Sequence, residues 1–301
     1  MTRTPASPSR RNALVALILL TLIWSYNWIV MKQALRYCGP FEFTALRSVF
    51  GTVVVFALLM LRRASPAPPP LLPTILIGLV QAMGFPLLVQ WALVEGGAGK
   101  TALLAYTMPF WLVIVSWLLW SERPSLRLWL GLGIAGAGLL LVLEPWHGFA
   151  NTESPLIAIA AGLLWALGVA LSKRLFMRGV GALSLTAWSM LFGSIGLVVV
   201  ALAVDERTTE WSGYLIGALV YNAVLASGLA WLLWSFVVER LPATVAGLSS
   251  LVIPIAGIGL AWMLLGEQPS ALESVGIGLI AGALALVALR QSAGRRDPTQ
   301  S

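Results

Sequence analysis

Apolar runs of about 20 residues recur along this chain, broken only by short polar or proline-rich stretches. The first, LVALILLTLIWSYNWIVM, holds no acidic or basic residue. A helix crosses a bilayer's hydrocarbon core in about 20 residues, and it can do so because its own backbone satisfies its amides there. Soluble domains are about 25% charged; here 10% of 301 residues are charged, 59% are hydrophobic, and mean hydropathy is +0.89. A soluble chain of this length lacks the interior to hide that surplus. Barrel strands would read as alternating segments of about ten residues, and these runs are unbroken. The expected fold is an all-α integral membrane protein.

Ten transmembrane helices can be placed, at 12–35, 41–61, 71–94, 98–120, 125–144, 154–175, 183–204, 211–238, 242–265 and 270–290. The amino-terminal basic stretch resembles a signal peptide, and Arg10-Arg11 a twin-arginine signal. The apolar run continues through TLIWSYNWIV without an A-x-A-like cleavage site, so it reads as the first span.

Lys and Arg are distributed unevenly. Fourteen fall on one side of these spans and four (Lys32, Arg36, Lys100 and Arg207) on the other, with Arg47 inside the second. The positive-inside rule then puts both termini in the cytoplasm of a bacterial inner membrane. That topology accounts for the net charge of +7 without a nucleic-acid partner. A single cysteine, Cys38, excludes an intrachain disulfide, and a single histidine, His147, argues against a metal site. No cofactor is expected. The expected partners are the lipid bilayer and a small-molecule solute, with the chain a monomer or homodimer.

The chain repeats itself. Trp24 and Lys32 recur as Trp165 and Lys173; Thr44-Ala45 and Phe50-Gly51 recur as Thr186-Ala187 and Phe192-Gly193. Pro109, Glu122, Pro124, Ser125, Gly131 and Gly133 recur as Pro254, Glu267, Pro269, Ser270, Gly276 and Gly278. Spans three and eight match weakly, with Gly78 set against Gly217. The organisation is a tail (1–11), a five-helix repeat (12–144), a loop (145–153), a second five-helix repeat (154–290) and a tail (291–301). Five spans per copy is an odd number, so the second copy enters the membrane from the opposite face. Inverted repeats of this kind are common in secondary transporters, with the solute site near the midplane between them.

These residues resemble the EamA-type drug/metabolite transporter family. IWSYNWIVMKQAL resembles its opening signature, Pro40 to Arg47 its pattern of Pro, Phe and Arg, and the two Pro–Glu–Gly-x-Gly blocks its recurring end of each half. Trp24-Ser25 departs from the common Trp-Gly pair. The resemblance covers nearly the whole chain and implies a ten-helix carrier of small metabolites. Within the family, the chain resembles the YddG-type exporters of aromatic and hydrophobic amino acids, which implies a solute of that class.

Trp24, Asn27, Trp28 and Met31 have the spacing of one helix face. Indoles flanking an amide suit an amphipathic solute, or else form a packing face. Gln81, Tyr106, Tyr221, Asn222 and Ser250 are uncharged polar groups in apolar spans, able to bind a zwitterion or to join helices; Trp165 and Trp234 are further aromatic candidates. Pro109 and Pro254 can kink their helices and act in gating. Arg47 lies about two turns into span two, where a charge is a functional hypothesis by default. It either snorkels to the surface, paired with Glu42 or Glu95, or takes a solute carboxylate. Glu122 and Glu267 stand two residues before a proline at helix ends and suggest a structural charge. Gly133-Ala137 and Gly278-Gly282 are small-residue pairs suited to internal packing rather than dimerisation. GGAGKT (96–101) lacks the first glycine of a phosphate loop, and no strand precedes it.

No Asp or Glu lies mid-span, which leaves a carboxylate proton relay unsupported. The sequence therefore reads as an alternating-access carrier, not an enzyme, with spans 1, 3, 4, 6, 8 and 9 around a central cavity. The alternatives are another solute (nucleobase, sugar conjugate, quaternary amine or drug) and a non-transporting receptor or assembly factor.

Overall fold

The computed structural model describes residues 8–63, 65, 67–120, 124–144, 153–240 and 252–291, and among them every regular element is helical. In chain order they are α1 (Pro8–Ala34), α2 (Pro40–Leu61), α3 (Leu71–Glu95), α4 (Ala98–Ala105 and Met108–Trp120) and α5 (Leu126–Leu143). Then follow α6 (Glu153–Met177), α7 (Ala182–Ala203), α8 (Gly213–Arg240), α9 (Val252–Leu265) and α10 (Ala271–Gln291). Seven of these, α1 to α4 and α6 to α8, contain stretches long and apolar enough to cross a membrane, and α5, α9 and α10 are shorter apolar helices.

Local chemistry sets the starts. α2 opens with Pro40, whose missing N–H costs nothing in a first turn. Ser125 and Ser212 accept from Leu128 N (3.4 Å) and Leu215 N (3.2 Å), capping α5 and α8. Three helices are irregular inside. α4 breaks at Tyr106–Thr107 and resumes with buried Pro109 in its first turn, where a missing donor is tolerated. α3 and α8 widen into π-helical segments at Gly78–Gly84 and Asn222–Leu229. The repeat therefore sets Gly78 beside Asn222, not beside Gly217, which is exposed. The shared feature is a backbone distortion, and in this register Val80, Ala82 and Gly84 match Val224, Ala226 and Gly228.

The two halves interlock through equivalent contacts. α1 packs on α8 and α9, and its counterpart α6 packs on α3 and α4. α2 meets the π segment of α8, while α7 meets that of α3. Counterparts also meet directly: Thr52 Oγ1 and Ser194 Oγ are 2.9 Å apart on α2 and α7. α5 and α10 run antiparallel, with Ser270 Oγ, at the start of α10, 3.0 Å from Glu144 Oε1 at the end of α5. Their closest approach is at Gly138 and Gly276: a Cβ on either would stand 2.7 or 2.6 Å from the other's carbonyl oxygen. Gly133, Ala137, Gly278 and Gly282 face outward instead and make no internal packing face. α5 and α10 are apolar around their circumference, so residue spacing alone does not select the packed side.

The repeated lysines have one job. Lys32 Nζ donates to Leu93 O (2.7 Å) and Gly96 O (2.9 Å) at the carboxyl end of α3, and Lys173 Nζ to Val238 O (2.7 Å) near that of α8. Each places a cation where the helix dipole is negative. Glu267 accepts from Ala98 N (2.9 Å) and Gly99 N (3.1 Å), so it caps α4 in the other half rather than its own next helix. Two amides of the GGAGKT stretch, those of Ala98 and Gly99, are thereby occupied, and Lys100 pairs with Glu273 at 2.8 Å. Glu122 lies outside the described residues. Glu267→Ala is expected to lower stability by about 1–2 kcal/mol, read as a lower melting temperature in detergent; an unchanged melting temperature would contradict the cap.

Candidate functional site

Between the halves lies a cavity of about 40 Å³. α1 supplies the face formed by Trp24, Asn27, Trp28 and Met31; α3 adds Phe85, and α4 adds Tyr106 from the turn that breaks it. The second half contributes Trp165 of α6 and Ala226 and Trp231 of α8. Arg47 reaches the cavity from α2. No described residue of α9 lines it.

The walls are an aromatic cluster. Trp24 and its repeat counterpart Trp165 meet edge-to-face with centroids 5.7 Å apart. Trp165 also packs against Phe85 (4.8 Å) and Tyr106 (5.0 Å), and Trp24 against Trp231 (5.3 Å). Edge-to-face contacts at such distances add attraction beyond burial. The π segment of α8 helps hold the cluster: Trp24 Nε1 donates to Ala226 O at 3.0 Å. On the other side Ser25 Oγ donates to Ile253 O at 3.1 Å, tying α1 to α9 where a glycine would offer no bond.

The polar atoms left over define what the cavity can do. Trp165 Nε1 and Arg47 Nε are donors, and Asn27 Oδ1 an acceptor; all are buried without a protein partner. A buried polar atom without a partner is costly, and the three beside this cavity leave hydrogen-bonding capacity that a bound molecule could take up. The volume holds only a few waters, whereas small-molecule pockets span roughly 300–1,000 Å³. At this volume the cavity is too small for a molecule the size of a metabolite.

A larger cavity, about 300 Å³, lies among α4, α5, α9 and α10. Its charges are already matched: Lys100 bonds Glu273, and Glu267 holds the start of α4. It offers no comparable set of unpartnered groups.

The remaining sequence candidates fall elsewhere. Gln81 lies on the α6–α7 side of α3, where Gly168 of α6 closes over it. Tyr221 donates to Ile23 O at 2.7 Å, joining α8 to α1. Asn222 is fully buried and touches the site through Arg47, accepting from Nη1 at 3.2 Å. Trp234 packs behind Trp24 and Trp165. Pro254 is buried in the first turn of α9, and Ser250 lies outside the described residues. Phe85 and Trp231 line the cavity without having stood out, because their spans carry aromatic and aliphatic residues on every side.

Comparison with known proteins agrees with this architecture. The chain is 25% identical to the uncharacterized transporter YoaV of Bacillus subtilis over 91% of this chain and 93% of that one. It is 25% identical to the uncharacterized inner membrane transporter YedA of Escherichia coli K12, covering 91% and 90%. A probable amino-acid metabolite efflux pump of the same strain is 24% identical, covering 90% and 93%. A crystal structure with 21% identity shares the fold, with a TM-score of 0.71 over 94% of this chain and 98% of the other. These relatives are transporters, not enzymes, and they support a multi-pass inner membrane protein for this chain. The profile of the EamA-like transporter family matches residues 11–144 and again 154–289, and the chain belongs to that family.

Proposed function

We propose that this protein is an alternating-access exporter of aromatic or hydrophobic amino acids. It would be built from ten spans in two inverted five-helix halves, with both termini cytoplasmic. The observation that carries the reading is the cavity between the halves, walled by indoles and holding unpartnered donors and an unpartnered acceptor. Indole faces accept apolar side chains and can also receive an ammonium group. The antiparallel course of the counterparts α5 and α10 supports inversion, since copies standing the same way up would run parallel. Among the relatives, the probable amino-acid metabolite efflux pump of Escherichia coli K12 favours this solute class. Among the described residues the walls hold no Asp or Glu, and downhill movement of solute is the simplest mechanism.

Proteoliposomes preloaded with labelled phenylalanine, leucine, a nucleobase and a sugar test it. Protein-dependent efflux of the two amino acids is expected, saturable and faster than that of the others. Efflux no faster than from protein-free liposomes, for both amino acids, would overturn it.

A further inference from the structure

The chemistry of Arg47 narrows the solute further, resting on the carrier reading above. Arg47 is 6% exposed, although it sits in an apolar helix and could have reached outward. Its one hydrogen bond in the structure goes to Asn222 Oδ1, and its Nε has no partner. Of the two acids the sequence offered it, Glu42 accepts from Thr209 instead, and Glu95 is exposed at the carboxyl end of α3. Asn222 is itself anchored through Nδ2 to Ala218 O at 3.1 Å, so it aims the guanidinium without neutralising it. The central cavity and the small one adjoining it both include Arg47, and among the described residues neither includes an acid; the polar groups that the second adds are hydroxyls, from Ser48, Ser194 and Ser227. A guanidinium held away from water and without a counter-ion is unfavourable unless something else supplies the anion.

We propose that the solute supplies it: the transported molecule carries a carboxylate, which Arg47 binds through its free Nε edge while the aromatic walls take the apolar body. A planar guanidinium edge matches a carboxylate's two oxygens. A single cation suits a monoanionic group better than a phosphate, which would call for more positive charge. A solute whose only charge is positive, such as a quaternary amine, meets repulsion from Arg47 and no acid in the lining. The free acceptor Asn27 Oδ1 can receive an α-ammonium, so an amino acid fits, but the ammonium is secondary.

Binding to the full-length protein in nanodiscs, followed by tryptophan fluorescence, tests the assignment. The probes are phenylalanine, 3-phenylpropionate, phenylalaninamide, phenethylamine and phenyl phosphate. The two carboxylates are expected to bind within about tenfold of each other, and the other three at least about 30-fold more weakly, the scale of one charge-assisted hydrogen bond. Arg47→Gln is expected to weaken carboxylate binding by a similar factor, with Arg47→Lys restoring part of it. Equal binding of phenethylamine or the amide, no binding of either carboxylate, tighter binding of phenyl phosphate, or an Arg47→Gln protein of wild-type affinity would overturn the proposal. If the Arg47 variants do not fold, the wild-type probe series decides it. Carboxylates that bind through Arg47 yet never cross a liposome bilayer would sink the carrier reading alone. Efflux that proceeds equally for the amide would sink this inference alone.

Discussion

Trp28→Ala is expected to abolish solute flux while the folded protein is still made, and Asn27→Ala to cut it by roughly tenfold at low solute concentration. Asn27 is 5% exposed, yet its Oδ1 has no partner in the cavity. Losing it removes no hydrogen bond at that oxygen from the resting protein but removes one from the loaded state. A bond to a charged group contributes about 1.5 kcal/mol at the low end, which fits the secondary place of the ammonium and corresponds to roughly tenfold in affinity. Trp28 packs edge-on to Tyr106 at 6.4 Å and gives the cavity one of its walls. Its truncation also leaves a void, so its melting temperature should fall more than that of Asn27→Ala. Initial efflux rates from proteoliposomes, normalised to monodisperse protein, are the measurement. Wild-type flux in both variants removes this cavity as the transport site.

Gly193→Ala is expected to cost about 2–3 kcal/mol and most of the folded yield. A Cβ there would stand 2.5 Å from Ala82 Cβ, 2.7 Å from Ala82 C and 2.9 Å from Gly78 O. Two of those three atoms are backbone, so no rotamer change relieves the clash; α7 must move off the π segment of α3. That contact holds one half to the other, and the loss should spread. Gly133→Ala is the control. Nothing lies within 4 Å of its Cβ position, and alanine is the better helix former. Its melting temperature should equal or exceed that of the wild type. A Gly193→Ala protein that melts with the wild type would show that α3 and α7 do not approach so closely.

Much of the fold could be read from residues because the chain states it twice. Trp24 with Lys32 and Trp165 with Lys173 name the same positions in each half, and in the structure the indoles meet while the lysines cap equivalent helices. The α1 face could be read because polar Asn27 interrupts an apolar run and fixes its rotation. Rotation was hidden in α5 and α10, where small residues stand on several sides, so the packed glycines could not be told from the outward ones. The π segments were hidden for another reason: they are backbone features, and the residues they share (Val80, Ala82 and Gly84 with Val224, Ala226 and Gly228) line up only once the two distortions are set side by side. The burial of Arg47 turns on Asn222, which is 175 residues away in the chain. No local pattern announces such a partner.

The central claim is that the cavity is shared by two opposed halves and opens to each side in turn. Ala226 lines it from α8 and is small enough to replace with cysteine. The native thiol will not interfere: burial, with Glu42 adding to it, pushes Cys38 up to about 12, so it stays protonated and unreactive at neutral pH. Ala226→Cys should be modified by a membrane-impermeant thiol reagent in both right-side-out and inside-out vesicles, and excess solute should slow both reactions. Modification from one side only, whatever the solute gradient, or from neither side, would contradict the account.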